Sequence, residues 1–246
     1  MRLKNTLSRI GVLALVSSLA GCGSAILRAN FETNALGTVP ASELPGEPVG
    51  DFFYLSDPTS GSVTVITAPA GLTGKSLSYR DSAPHSYSRF LGFMGKETAP
   101  SVQQYWAVWG GVPQLTGNAV LDIWIGDGHF SSWGAIRLTG GQVLVANDAS
   151  GNSFTPIGSY TNGRRQTVVM KVDKAAGTYA IMVLGGPTAV TTGTRPVITP
   201  ATLSATRPTV YFWFSSEAPS SSAYAIDDML MTEACPTDRG EAGVCP

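Results

Sequence analysis

Short runs in which apolar and polar residues alternate recur along the chain after residue 30, and no stretch there has a convincing helical period. Clusters of Gly, Pro, Asn and Asp separate these runs, which is typical of all-β sandwiches. The pattern predicts one all-β domain of two antiparallel sheets. The predicted strands are 63–67, 76–80, 104–109, 120–125, 135–139, 142–146, 167–173, 178–184, 209–215 and 224–231.

Glycine positions predict how some of these strands connect. Gly140 and Gly141 supply the positive φ that a two-residue hairpin loop requires between 138 and 143. Gly177 is placed to adopt a left-handed conformation in a second hairpin over 172–179. The Thr- and Pro-rich stretch 187–208 predicts a long connection, with one edge strand near Val197 and Ile198.

Strand parity predicts a polar and aromatic face on one sheet. Alternation assigns Leu121, Ile123 and Ile125 to the core, and Val210, Phe212 and Phe214 likewise. The opposite positions would then share an outer face, where aromatic rings and planar polar groups suit a sugar. These candidate glycan-binding residues are Asp122, Trp124, Arg137, Tyr211 and Trp213. The alternative is that these Trp and Tyr side chains fill an ordinary β core.

The N-terminus has the pattern of an export signal. Basic residues at 2, 4 and 9 precede an apolar run of 11 residues, 10–20, whereas a membrane-spanning helix needs about 20. Residues 19–22 read Leu-Ala-Gly-Cys and resemble a bacterial lipobox. The resemblance implies cleavage before Cys22, a lipid on its sulfur and an acyl chain such as palmitate on its amine. In such lipoproteins an aspartate directly after the cysteine favours retention in the inner membrane. Here that position is Gly23, so the resemblance implies the outer membrane. The alternatives are an ordinary signal peptide with an accidental cysteine, or a core helix.

Cysteine number and charge limit the remaining functions. Of three cysteines, lipidation uses Cys22, so Cys235 and Cys245 would close a structural disulfide in an oxidising compartment. The alternative is two free thiols in a frayed tail.

Removing 1–21 takes away three basic residues and leaves a net charge of −4, with no basic cluster suited to nucleic acid. A hydrophobic content of 43% argues against disorder.

Several segments resemble laminin-G-like, concanavalin-A-like jelly rolls. They are the paired strands 165–173 and 179–186, the opening Phe31-Glu32, the segment 71–77 and the closing strand 224–230. Together they cover most of 31–232 and imply a carbohydrate-binding type of jelly-roll β-sandwich. They leave open the choice between the laminin-G-like and galactose-binding-like branches.

The same resemblance implies a site for a structural calcium ion between the first and last strands. Calcium prefers several oxygen ligands, which Glu32 with Asp227 or Asp228 would supply. The alternative, which we favour, is that one aspartate caps backbone groups and its neighbour is solvated.

Motifs for catalysis are weak. Gly74-Lys75-Ser76 lacks the upstream glycine of a phosphate loop, because that position is Pro69. The two histidines, His85 and His129, lie in loop-like segments without a nucleophile elbow. Asp122 and Asp127 have opposite strand parity, so they do not form the carboxylate pair of a glycosidase.

These observations predict a lipoprotein of the cell envelope. Its parts would be a signal peptide 1–21, a lipidated tether 22–30, a jelly roll 31–232 and a disulfide-closed tail 233–246. We expect it to bind the lipid bilayer through Cys22 and a glycan or envelope polymer through the domain, without catalysis. The alternatives are an assembly lipoprotein with protein partners and a divergent polysaccharide-degrading enzyme.

Overall fold

A computed structural model describes residues 25–40, 51–54 (backbone only), 63–81, 90–127, 131–147, 153–216 and 220–236. Cys22, His85, His129 and Cys245 lie outside these ranges. No helix within them is long and apolar enough to cross a membrane. The strands are β1 Ala25–Ala29, β2 Asp51–Tyr54, β3 Val63–Thr67, β4 Lys75–Arg80, β5 Phe90–Met94, β6 Gln104–Gln114, β7 Val120–Asp127, β8 Ser132–Thr139, β9 Gln142–Ala146, β10 Phe154–Ser159, β11 Gln166–Asp173, β12 Thr178–Leu184, β13 Val190–Thr191, β14 Arg195–Pro196, β15 Pro208–Phe214 and β16 Ala223–Thr232.

These strands form two antiparallel sheets of a jelly-roll β-sandwich. The nine-stranded sheet has the order β13-β12-β11-β6-β16-β4-β3, with β1 added beside β16 and β14 beside β12. The seven-stranded sheet has the order β10-β9-β8-β7-β15-β5-β2. Strands far apart in sequence are therefore neighbours, as β7 and β15 are.

The core lies between the sheets and is dominated by aromatic and β-branched side chains. Trp109 of the nine-stranded sheet meets Phe212 of the seven-stranded sheet edge to face, with ring centroids 5.4 Å apart. Tyr105 stacks on Trp133 at 5.8 Å, with the ring planes 5° apart. All four rings are fully buried. Burying one large apolar side chain is worth about 2–3 kcal/mol, so these contacts hold the sheets together.

The predicted all-β architecture is confirmed, and all ten predicted strands exist, although β6 extends five residues beyond its predicted end and β8 begins three residues before its predicted start. Both hairpins are also confirmed: Gly140, Gly141 and Gly177 have φ values of 54°, 79° and 63°. Several strands have no counterpart in the prediction, namely β1, β2, β5, β10 and β13.

One expectation about an individual segment is wrong. The first described strand is β1, so residues 25–29 of the predicted tether belong to the nine-stranded sheet, and Phe31 follows this strand with a φ of 61°. A bulge between Ala25 and Leu27 interrupts the alternation in β1. The predicted edge strand near Val197 and Ile198 is confirmed as β14, which pairs with β12, and the Val197 N–H donates to the Gly177 carbonyl just beyond this pairing.

β16 has two partners on one of its edges. Its first half pairs with β4 over Ala223–Ile226, and its second half pairs with β1 over Met229–Thr232. A bulge between Asp227 and Leu230 separates the halves on the β6 side. Asp228 has a φ of 54° at this irregularity, a conformation that Asp tolerates better than most residues. The junction of β1, β4 and β16 therefore contains both aspartates of the predicted calcium site.

Candidate functional site

The centre of the seven-stranded sheet carries the predicted polar and aromatic face. Leu121, Ile123 and Ile125 of β7 are fully buried in the core. Trp124 lies between them in sequence and is half-buried on the outer side. In β15, Val210 and Phe212 point into the core and Trp213 is half-buried on the outer side. Parity therefore separates the two faces as the sequence predicts.

Strand register places all five predicted residues beside one another. Asp122 lies opposite Arg137 of β8 and opposite Trp213 of β15. Trp124 lies opposite Tyr211 in the adjacent row. Directly opposed side chains on antiparallel strands are about 5 Å apart, so the five residues form one continuous surface. We call this set, Asp122, Trp124, Arg137, Tyr211 and Trp213, the outer face.

The aromatic side chains of the outer face contact each other and differ in exposure. The Trp124 ring lies 5.6 Å from the Trp213 ring, edge to face, and 5.9 Å from the Tyr211 ring. Tyr211 is only 1% exposed, and its hydroxyl donates a 2.6 Å hydrogen bond to the Asp127 carbonyl. Tyr211 is therefore a buried neighbour of the Trp124 ring, and a ligand would reach Trp124 and Trp213.

Asp122 and Arg137 form a bidentate ion pair. Arg137 Nε and Nη2 donate to the two Asp122 carboxylate oxygens at 2.6 and 2.9 Å. Ser215 Oγ donates a further 2.8 Å hydrogen bond to Asp122 Oδ2. The Asp122 side chain is 3% exposed and that of Arg137 is 26% exposed. These two parallel hydrogen bonds fix the planes of the Asp122 carboxylate and the Arg137 guanidinium beside Trp213.

Three contributors to this surface are absent from the sequence prediction. Phe154 lies under the Arg137 guanidinium, with Cζ 4.0 Å from the ring centroid. Phe90 packs edge to face on Tyr211 at 5.6 Å. Ser215 bonds Asp122 from the end of β15. Phe154 and Phe90 belong to strands in which Gly or Pro residues interrupt the alternation of apolar and polar positions, so the pattern contains no signal for them. Ser215 falls within the predicted strand 209–215, and its outward parity could have placed it on this surface.

Glu32, Asp227 and Asp228 lie near each other at the junction of β1, β4 and β16. Glu32 Oε1 accepts a 2.8 Å hydrogen bond from the Lys75 backbone N–H, and the Asp227 carboxylate accepts from the Asp228 and Thr73 N–H groups. Burial, and to a smaller extent the neighbouring Asp228 charge, raises the pKa of Asp227 to about 7. Asp227 therefore caps backbone groups, as the alternative interpretation expects.

The described residues contain no group of three or more His, Cys, Asp or Glu side chains arranged to hold a metal ion. Each of Glu32 and Asp227 already accepts backbone hydrogen bonds there. A calcium ion at Glu32, Asp227 and Asp228 stays a prediction from resemblance, and no chemistry is assigned to it.

The segment Gly74-Lys75-Ser76, which has part of a phosphate-loop motif, has a structural role. Lys75 begins β4, and its Nζ donates to the Glu32 and Asn34 carbonyls at 2.8 and 2.6 Å.

Asp127, the second carboxylate of β7, accepts a 2.9 Å hydrogen bond from the Ser131 N–H and is 4% exposed. Asp122 and Asp127 thus each already interact with groups of the fold, Asp122 with Arg137 and Asp127 with the Ser131 N–H.

Cys235 is disulfide-bonded and packs against an apolar cluster of Trp106, Val108 and Val169 on the outer side of the nine-stranded sheet. Its partner lies outside the described residues, so pairing with Cys245 stays a prediction.

Comparisons with known proteins identify the fold and no family. No protein-family model and no curated protein matches the chain. Among solved structures, it is similar to a GH131 β-glucanase catalytic domain from Podospora anserina, with 13% identity and a TM-score of 0.56 over 85% of this chain and 96% of that one. It is also similar to a sialidase, with 14% identity and a TM-score of 0.52 over 86% of this chain.

A third similar structure comes from work on botulinum neurotoxin type C and its interaction with two ganglioside molecules, with 10% identity and a TM-score of 0.50 over 86% of this chain. The chain spans 19% of the sialidase and 48% of the neurotoxin chain. At these identities the likeness shows the fold, a jelly-roll β-sandwich.

Proposed function

We propose that this protein binds a glycan or cell-envelope polymer on the outer face of the seven-stranded sheet, without catalysis. The observation that carries the proposal is the pairing of two half-buried tryptophans, Trp124 and Trp213, with the Asp122–Arg137 ion pair in adjacent register positions. Sugar rings have apolar C–H faces surrounded by hydroxyl groups. Such a ligand needs an aromatic platform and planar hydrogen-bonding groups side by side.

Each part of the outer face has a defined role in this proposal. Trp124 and Trp213 stack against sugar rings, and their edge-to-face contact keeps them at fixed angles. Arg137 uses two of its five N–H donors for Asp122, which leaves three for ligand hydroxyls. Phe154 beneath the guanidinium limits its motion. A preformed surface of this kind loses little conformational entropy on binding.

The fold relatives support the ligand class. A β-glucanase domain acts on a glycan, a sialidase acts on a sugar, and the neurotoxin work concerns gangliosides.

A polysaccharide-degrading enzyme is the second candidate, because two of these relatives are named as enzymes. Glycoside hydrolysis generally requires a carboxylic acid and a carboxylate on opposite sides of the scissile bond. Asp122 is held in an ion pair and Asp127 is capped by a backbone N–H. This commitment of both carboxylates favours binding over hydrolysis.

An assembly role with protein partners has less support in the described residues. The apolar cluster of Trp106, Val108 and Val169 is buried and already contacts Cys235 of the same chain. It is therefore not an open surface for another protein.

Tryptophan substitutions test glycan binding. We expect Trp124→Ala and Trp213→Ala each to weaken retention by a polysaccharide about tenfold, since loss of one aromatic stacking platform removes a major contact. Affinity gel electrophoresis against a panel of soluble polysaccharides measures this, with reducing-sugar release assayed on the same panel.

Met182→Ala is the matched control, because it shortens a half-buried apolar side chain on the opposite sheet. Circular dichroism melts show whether each variant is folded. Equal retention by wild-type protein and both folded tryptophan variants would refute the proposed face, and released sugar would favour the enzyme.

We further propose that the protein is a lipoprotein, acylated on Cys22 and held at the bacterial outer membrane. The support is the order of basic residues, a short apolar run and Leu-Ala-Gly-Cys at 19–22.

A further inference from the structure

The outer face presents almost no net charge to a ligand. In the strands of this sheet whose side chains the structure describes, β5, β7 to β10 and β15, the charged residues are Asp122, Asp127 and Arg137. Asp127 is 4% exposed and its carboxylate accepts the Ser131 N–H. The electrostatic character of this surface therefore depends on Asp122 and Arg137.

Asp122 neutralises the arginine where a ligand would meet it. Both carboxylate oxygens accept from Arg137, at 2.6 and 2.9 Å, and the Asp122 side chain is only 3% exposed. An acidic sugar approaching the exposed part of Arg137 would lie beside the Asp122 charge. It would give up its own hydration without gaining a free cation, because the guanidinium is already paired. A neutral sugar carries no such cost and can use the remaining N–H donors.

We propose that this face selects uncharged polysaccharides over acidic ones, and that Asp122 is the residue that sets the selectivity. The inference rests on the proposed function and specifies its ligand class. Arg137 acts as a hydrogen-bond donor to hydroxyl groups in a locally neutral pair, instead of as a binding site for carboxylate or sulfate.

Polymers that share a backbone and differ in charge test this selectivity. Suitable pairs are hydroxyethylcellulose with carboxymethylcellulose, methyl-esterified pectin with polygalacturonate, and dextran with dextran sulfate. Affinity gel electrophoresis at low salt gives the ratio of neutral to acidic affinity within each pair. We expect wild-type protein to bind the neutral member at least fivefold more tightly in any pair that it binds.

The two single charge variants should shift this ratio in opposite directions. Asp122→Asn leaves the Arg137 cation unpaired and should strengthen binding of the acidic member about fivefold, the effect of one unit charge at contact distance in water. Arg137→Gln leaves the Asp122 anion unpaired and should weaken acidic binding further. The double variant should return to the wild-type ratio. High salt should reduce these differences, because it screens the charges.

Each outcome separates the two proposals. Wild-type protein that binds acidic members as tightly as neutral ones would overturn the selectivity and leave glycan binding intact. Retention by no polymer of any pair would count against glycan binding, and the selectivity would fall with it. If Asp122→Asn unfolds in thermal melts, the Arg137→Gln ratio decides, and an unchanged ratio in that folded variant overturns the role of the pair.

Discussion

Asp227 is a buried carboxyl group whose proton is held more tightly in the folded protein than in the unfolded chain. Its pKa is raised to about 7 from an ordinary value of 3.8, chiefly because it is removed from water. Between about pH 4 and 7 the folded state keeps a proton that the unfolded state has lost. The free energy of unfolding therefore falls as the pH rises through this window and is level above it.

Asp227→Asn removes this pH dependence. Asn keeps an oxygen to accept the Asp228 and Thr73 N–H groups without a charge. We expect the variant to be more stable than wild type at pH 8, by about 1–4 kcal/mol, and to match it near pH 4. Urea unfolding between pH 4 and 8 in EDTA buffer measures this. A wild-type curve that does not fall between pH 4 and 7 would contradict the raised pKa.

Gly74 has a left-handed backbone conformation and lies against the Glu32 carboxylate, and both features favour glycine at this position. Its φ is +64°, and an added Cβ would clash with Glu32 Oε1. Gly74→Ala should destabilise the fold by about 2–3 kcal/mol through left-handed strain and displacement of the Glu32–Lys75 bond. Gly37→Ala is the control, since Gly37 has a φ of +77° with nothing within 4 Å of an added Cβ. Equal unfolding free energies for the two variants would show that the Glu32 contact contributes nothing.

Individual residues also show what parity can predict. Trp124 and Trp213 are on one outer face because β7 and β15 alternate regularly over the predicted positions. The burial of Tyr211 was not predictable, since it depends on the Asp127 carbonyl at the end of a strand distant in sequence. Nor was the Phe154 contact, because β10 contains Pro156 and Gly158 and has no clear period.

Among the elements, β1 shows where sequence reasoning is weakest. Its five residues, Ala-Ile-Leu-Arg-Ala, follow the apolar signal closely and contain a bulge, so two successive side chains are buried. Ile26, Leu27 and Ala29 are at most 2% exposed and belong to the core. The long hairpin strands β11 and β12 were predictable because their partner is next in sequence, whereas β1 pairs with the last strand.

β1 is therefore part of the folded domain. We expect a protein that begins at Phe31 to melt at a much lower temperature, or to be insoluble, compared with one that begins at Gly23. The reason is that it loses about 3–5 kcal/mol of apolar burial and exposes the edge of β16. Scanning calorimetry of the two proteins measures the difference.

Arg28→Ala in the longer protein controls for the change of sequence, because Arg28 is exposed on β1. Identical melting temperatures for the two lengths would place β1 outside the cooperative unit.

At the scale of the whole molecule, β1 and the proposed binding face belong to opposite sheets. β1 pairs with β16 in the nine-stranded sheet, and Trp124 and Trp213 lie outside the seven-stranded sheet. Cys22 precedes Ala25 by three residues. If Cys22 is acylated as we propose, the domain would be held close to the bilayer through one sheet and would present its proposed ligand face on the other.

Cys22→Ser tests the anchor in cells. We expect this variant to incorporate no radiolabelled palmitate and to leave the outer-membrane fraction. Cys235→Ser should keep the label, because Cys235 is disulfide-bonded in the domain. Membrane fractionation with palmitate labelling measures both, and equal labelling of wild type and Cys22→Ser would refute lipidation at this residue.

The pairing of β1 with β16 also has a mechanical consequence. Four residue pairs, Ala25 with Thr232 through Ala29 with Met229, join the strands, and their hydrogen bonds run across the strand axis. A pull on Cys22 along β1, as when a bound polymer moves relative to the membrane, would strain these bonds in shear, so that they must break together. This arrangement resists force far better than unzipping bond by bond, and it would make β1 a tension-resistant joint between membrane and ligand.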